Sequence, residues 1–152
     1  MIPPTVPDNL KAPDGEELVL KVSATGYQIY VCQAGADGKP AWTLKMPLAE
    51  LCDEKGSVIG SHYGGPTWKL RDGSEVTGKL LAKADAPDAS AIPWLLVAVA
   101  SNSGKGALGK ATTIQRVNTT GGLAPASCGG SDLGKETKSA YTADYYFYAP
   151  GK

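Results

Sequence analysis

The chain has 152 residues, enough for one domain with a real core, and its 42% hydrophobic content excludes disorder over the whole length. Fifteen basic residues balance fifteen acidic ones, so the chain lacks the electrostatic footprint of a nucleic-acid binder. Nineteen Gly and eleven Pro with no repeat period point to many turns between short strands rather than to collagen or a linker.

The opening Met1-Ile2-Pro3-Pro4-Thr5-Val6-Pro7 has no basic stretch followed by an apolar one. It reads as the ragged start of a mature exported protein rather than as a signal peptide. Residues 1–15, rich in Pro and Asp, are expected to be irregular, and residues 16–150 to form a single β domain. Residues 17–24 alternate with Leu18, Leu20 and Val22 on one face, and residues 27–33 with Tyr27, Ile29 and Val31. Gly26 between them predicts a tight hairpin. After the turn at residues 35–40, the alternation of Trp42, Leu44 and Met46 gives a third strand, and residues 47–54 read as one short helical turn. Residues 57–60 and 67–71 are brief strands, Asp72-Gly73 is a strong turn signal, and residues 75–84 form a long strand.

Residues 92–100 are apolar on both faces, which predicts a central strand covered on both sides. That run, the longest apolar one, is interrupted by Pro93 and far too short to span a membrane as a helix. Residues 111–118 and 141–149 complete eight or nine short strands. The fold class is therefore all-β: a single antiparallel sandwich or barrel with long turn-rich loops, of which residues 121–139 form the longest. In the last strand Tyr145 and Phe147 share one face and Tyr146 and Tyr148 the other. Both faces are core if that strand is central; at an edge, the outer pair becomes an aromatic platform for a ligand or another subunit.

Cys32, Cys52 and Cys128 form no CxxC pair, and a zinc site would need all three to converge with the only His, so neither metal nor other cofactor is expected. The plain reading is one disulfide and one buried thiol. Cys32 lies on a predicted strand and Cys128 in a Gly-rich late segment, and that pair is favoured; closing so long a loop contributes about 4 kcal/mol in the chain-entropy model. Cys52 is then a small buried hydrophobe. Cysteine usage and composition place the protein in an oxidising compartment: secreted, periplasmic or on the cell surface.

Residues 61–68, Ser61-His62-Tyr63-Gly64-Gly65-Pro66-Thr67-Trp68, gather the only His, two aromatics and a Gly-Gly-Pro turn. Such a turn lets backbone approach a ligand, and Tyr or Trp faces stack on sugars and aromatic rings. The plainer alternative is a demanding corner with His62 bonded to backbone and Trp68 in the core. A triad at His62 would need a nucleophile and an acid; Ser61 points to the opposite face, Ser74, Asp53 and Asp72 approach only through the fold, and no nucleophile elbow is present. Residues 104–109 spell a dinucleotide fingerprint, but the segment that follows reads as strand, leaving no helix N-terminus for a pyrophosphate, so a flexible hairpin loop is expected. Arg116 either binds a carboxylate or sulfate through its planar fork or holds a neighbouring Asp or loop carbonyls, the second being favoured. The acidic stretches at residues 72–75 and 85–88 lack calcium-loop spacing and are explained by turn chemistry.

Several blocks of the chain match a known pattern: Gly26-Tyr27-Gln28-Ile29-Tyr30-Val31-Cys32, Trp42, residues 60–68, Asp72-Gly73-Ser74, Ala91-Ile92-Pro93-Trp94-Leu95-Leu96, residues 114–119, Gly121-Gly122, Ala124-Pro125, Cys128 and residues 141–148. Through them the chain resembles DUF3455, a family of bacterial and fungal proteins of unknown function. The resemblance implies export, because such proteins commonly begin with a signal peptide. It also implies that Cys32 and Cys128 belong to the pattern while Cys52 departs from it, which strengthens the pairing. It supplies no catalytic role.

These readings lead to an exported, non-catalytic binding module, with His62, Tyr63, Trp68, Trp94 and Arg116 lining a site for a small molecule or glycan. The alternative is a structural protein of the cell surface or extracellular matrix, self-associating into homo-oligomers through exposed sheet edges. A hydrolase centred on His62 ranks third.

Overall fold

A computed structural model describes residues 1–151. Eight strands follow in chain order: β1 (Glu16–Ala34), β2 (Pro40–Cys52), β3 (Val58–Tyr63), β4 (Thr67–Leu70), β5 (Glu75–Ala84), β6 (Trp94–Ser103), β7 (Thr113–Gly121) and β8 (Glu136–Pro150). Each pairs antiparallel with the next, and β8 pairs back onto β1 from Glu16↔Pro150 to Val31↔Glu136, so one sheet closes in a ring. Of the two arrangements left open by the sequence, this is the single closed sheet rather than two packed ones. Helical structure among the described residues is limited to two 3-10 turns, Asp8–Leu10 and Gly130–Asp132, and no helix is long and apolar enough to cross a membrane.

Two local expectations fail for instructive reasons. The hairpin expected at Gly26 does not form; β1 runs through it as one strand of nineteen residues. Gly26 is there because β2 comes too close for a side chain: a Cβ would lie 2.2 Å from the Leu48 carbonyl oxygen and 2.5 Å from Ala49 Cα. The helical turn expected at residues 47–54 is instead the end of β2, where Ala49 and Leu51 point inward and Leu48 stays exposed.

Inside the ring, alternate residues of every strand meet in one apolar cluster that includes Val22, Ala24, Leu51, Trp68, Leu70, Val76, Val97, Ile114, Tyr145 and Phe147. One end is stoppered by the β6–β7 connection. Leu108 is fully buried there, Asp72 accepts from the Ala107 N–H at 2.9 Å, and the Ser74 hydroxyl accepts from the Leu108 N–H at 3.2 Å. The segment spelling a dinucleotide fingerprint is thus a fastened lid of the core, not a flexible loop, and no helix follows it.

Outside the ring, Tyr146 and Tyr148 pack with Val117 beneath Val6, Ala12, Leu18 and Trp94. Gln115 donates to the Leu10 carbonyl at 2.8 Å and accepts from the Tyr148 hydroxyl at 2.7 Å. The N-terminal segment therefore covers the outer aromatic pair, and β8 is paired on both sides, so it presents no aromatic platform. Cys32 and Cys128 form a disulfide. The segment after β7 is also fastened by Gly134 N–H to Cys32 O at 2.8 Å and Trp42 Nε1–H to Ser127 O at 2.9 Å. Cys52 is a free thiol and only half-buried, where full burial was expected.

Candidate functional site

The ring is not equally tall all round. β3 pairs with β2 only from Ala49 to Cys52, and β4 meets β5 only at Glu75 to Thr77. Residues 40–48 of β2 and 79–84 of β5 therefore have no strand partner on the side facing the short β3–β4 hairpin. Above the Gly64-Gly65-Pro66 turn this leaves a notch in the wall. A cavity of about 320 Å³ opens there, framed by Leu44, Met46, Pro47, the turn itself and Leu80.

The floor of the cavity is built by cross-strand pairing. His62 on β3 sits directly opposite Trp68 on β4, and their rings stack with centroids 4.4 Å apart. Tyr145 of β8 closes the group, 5.1 Å from His62 and 5.6 Å from Trp68. Gly78 of β5 makes room for the indole; a Cβ there would come within 2.9 Å of the Trp68 ring. Arg116 on β7 lies between Leu95 of β6 and Tyr145 of β8, and its Nε and Nη2 donate to the Pro93 carbonyl at 3.1 and 2.8 Å. Gln28 of β1 completes the polar lining, with Leu95 and Val97 as apolar wall.

Burial sets the charge states. His62 Nδ1 lies 2.8 Å from the Thr67 carbonyl, which can only accept, so Nδ1 carries the proton and Nε2 is left as an acceptor. Burial pushes the imidazole down from 6.5 to about 4, against the opposing pull of the Thr67 hydrogen bond, so it is neutral at neutral pH. Burial likewise raises the Tyr145 and Tyr141 phenols, whose hydroxyls lie 3.2 Å apart. No carboxylate among the described residues lies within 4.0 Å of the Arg116 guanidinium. Two further groups of the lining, Gln28 Oε1 and Trp68 Nε1, are buried with no hydrogen-bonding partner in the protein.

Of the residues singled out in the sequence, the structure brings His62, Trp68 and Arg116 together at the cavity. Tyr63 faces the other side of the sheet, where its hydroxyl donates to Glu75 at 3.0 Å, and Trp94 packs against the outer cluster of Val117, Tyr146 and Tyr148. Sequence reasoning missed Gln28, Tyr145 and the aliphatic frame. Gln28 carried a readable signal: Val22, Ala24, Gly26 and Gln28 are in one phase of the β alternation, so a polar residue falls in an inward register. Ser74 and Asp72 bond each other at the far end of the ring, and no Ser, Thr, Cys, Asp or Glu lines the cavity. Among the described residues no group of three His, Cys, Asp or Glu is placed to hold a metal.

The fold and the site define a class: a single-sheet antiparallel β ring with a lateral cavity whose floor is aromatic and polar. A family profile, described as "Protein of unknown function (DUF3455)", matches residues 13–149, and the chain belongs to that family. No curated protein and no solved structure matches it.

Proposed function

We propose that this protein is an exported, non-catalytic binding module that takes a small molecule through the notch between β2 and β5. The observation that carries the reading is an apolar-walled cavity whose lining residues include two of the three buried groups without a protein partner, Gln28 Oε1 and Trp68 Nε1; the third, Trp94 Nε1, belongs to the outer cluster. Such groups cost about 1–3 kcal/mol each when left unpaired, so their presence at a cavity points to a ligand that satisfies them. An eight-stranded ring is about wide enough to hold one small ligand besides its own side chains. The volume of about 320 Å³ favours a small molecule over a glycan chain, which would need a longer platform. Export is supported by the Cys32–Cys128 disulfide. A hydrolytic reading of the triad kind would need a Ser, Thr or Cys beside His62, and none is among the lining residues.

Self-association draws some support from the free edges of β2 and β5. It is opposed by Pro40 and Pro47 on one and Lys79 and Lys83 on the other, residue types that block edge pairing.

Thermal unfolding against a panel of apolar acids, alcohols, sugars and divalent metals tests the reading. At a hundred times its Kd a ligand adds about 2.7 kcal/mol. The shift should vanish in Leu80→Asp, which alters an exposed residue of the notch and leaves the core intact. A ligand whose shift survives that substitution binds elsewhere and overturns the assignment.

A further inference from the structure

We infer that the ligand of this cavity is a small organic monoanion, a carboxylate with an apolar body, held at its charged end by Arg116. The inference rests on the cavity reading above and adds the chemistry of the occupant.

A buried guanidinium normally has a carboxylate partner, because its desolvation is otherwise uncompensated. Arg116 is buried, yet the acceptors the protein offers it are uncharged: the Pro93 carbonyl, with the Tyr145 hydroxyl beside it. The Pro93 carbonyl uses two of its five N–H groups, leaving donors for a further planar acceptor. Tyr30, His62, Tyr141 and Tyr145 feel its charge, and none of them is an anion at neutral pH. The missing negative charge is therefore supplied by whatever occupies the cavity. One cation asks for one negative charge, and Trp68, another lining residue, has an indole N–H without a partner in the protein.

The rest of the cavity describes the remainder of the ligand. Leu44, Met46, Pro47 and Leu80 frame the notch and Leu95 and Val97 form the wall, so a bound acid would have its carboxylate inside and its apolar body toward the opening. The volume, about 320 Å³, is at the small end of ligand cavities, which run from about 300 to 1,000 Å³. Lys45, at the rim, is paired with Glu136 and adds no free charge.

The test uses the wild-type protein and matched pairs: octanoate against 1-octanol, and 3-phenylpropanoate against 3-phenylpropan-1-ol, by calorimetry at neutral pH with tryptophan fluorescence as a second readout. Each acid should bind about 10- to 100-fold more tightly than its alcohol, the range of a hydrogen bond to a charged group. Arg116→Gln should bring acid and alcohol level; should that variant fail to fold, the wild-type comparison decides alone. Equal affinity of acid and alcohol overturns the anion and leaves the cavity reading standing. Inorganic phosphate displacing the probes at equal potency also overturns it, because the apolar walls would then contribute nothing. If neither pair binds while another panel compound binds and is lost in Leu80→Asp, the inference alone fails. If no compound binds at all, both fail.

Discussion

His62 is the only histidine of the chain, so one buried imidazole dominates the change of stability with pH between neutrality and the carboxylate range. In the folded protein burial holds it neutral down to about pH 4, whereas in the unfolded chain it takes up a proton near 6.5. Between those values the unfolded state binds more protons than the folded one, so stability falls as pH falls through this window and is unaffected above it. At roughly 1.4 kcal/mol per pH unit, the gap corresponds to about 3 kcal/mol in full, of which about 2 kcal/mol is lost between pH 7.5 and pH 5. Urea unfolding at those two values measures it, for the wild type and for His62→Gln. Asp72, Asp88 and Asp132, whose carboxyls are held low chiefly by hydrogen bonds to Ser74, Ser90 and Gly129 respectively, affect both proteins alike and cancel in the comparison. The wild type should lose about 2 kcal/mol more than the variant over that interval. Equal losses would refute the argument, since they would mean that the imidazole protonates in place, reached by solvent through the notch.

Three other outcomes follow from the geometry. Replacing both Cys32 and Cys128 by Ala opens a loop with a sequence separation of 96 and should cost about 4–5 kcal/mol in urea unfolding; a loss below about 1 kcal/mol would show that the hydrogen bonds around Cys32 hold the segment unaided. Gly26→Ala drives a methyl group into the backbone of β2, which cannot give way as a side chain would, so the melting temperature should fall by the equivalent of at least about 1–3 kcal/mol; an unchanged value would sink the close-approach reading. Asp72→Ala removes the acceptor of the Ala107 N–H, and amide exchange at Ala107 and Leu108 should quicken while β1 and β8 stay protected; unchanged protection would mean that Leu108 alone holds the lid.

The parts of this fold that can be read from sequence are the local ones. The Asp72-Gly73 turn and the acidic stretch at residues 85–88 bracket residues 75–84, and β5 occupies those positions. The Gly64-Gly65-Pro66 corner announces a tight β3–β4 connection, and His62 and Trp68, equally spaced from its centre, are bound to face each other across it. Gly26 misled because glycine marks both turns and close approaches, and only the distant Leu48 carbonyl decides between them. Taking it as a turn also reversed the phase of the residues beyond it, which turned Tyr27 inward and Gln28 outward, the opposite of what forms. Ring closure, and with it the meeting of Gln28, His62, Arg116 and Tyr145, depends on pairing between β1 and β8 across most of the chain. No local pattern encodes that.

The notch and the polar floor have one origin in strand length. β3 and β4 are six and four residues long, between a β2 of thirteen and a β5 of ten. A hairpin that short cannot cover the upper interior, so the side chains it carries, His62 and Trp68, sit at the bottom of the gap it leaves. Had the interior been selected for stability alone, the positions of Gln28 and Arg116 would be aliphatic, as Ala24 and Ile114 are on the same inward faces of β1 and β7. At the stoppered end the polar residues Ser74 and Asn102 are tied to Asp72 and to the backbone of Leu108 and Ala111, whereas at the open end Gln28, His62 and Arg116 line the cavity. The difference between the two ends is therefore one of satisfaction: among the described residues Gln28 Oε1 finds no partner and Arg116 no carboxylate, and the binding proposal rests on that difference.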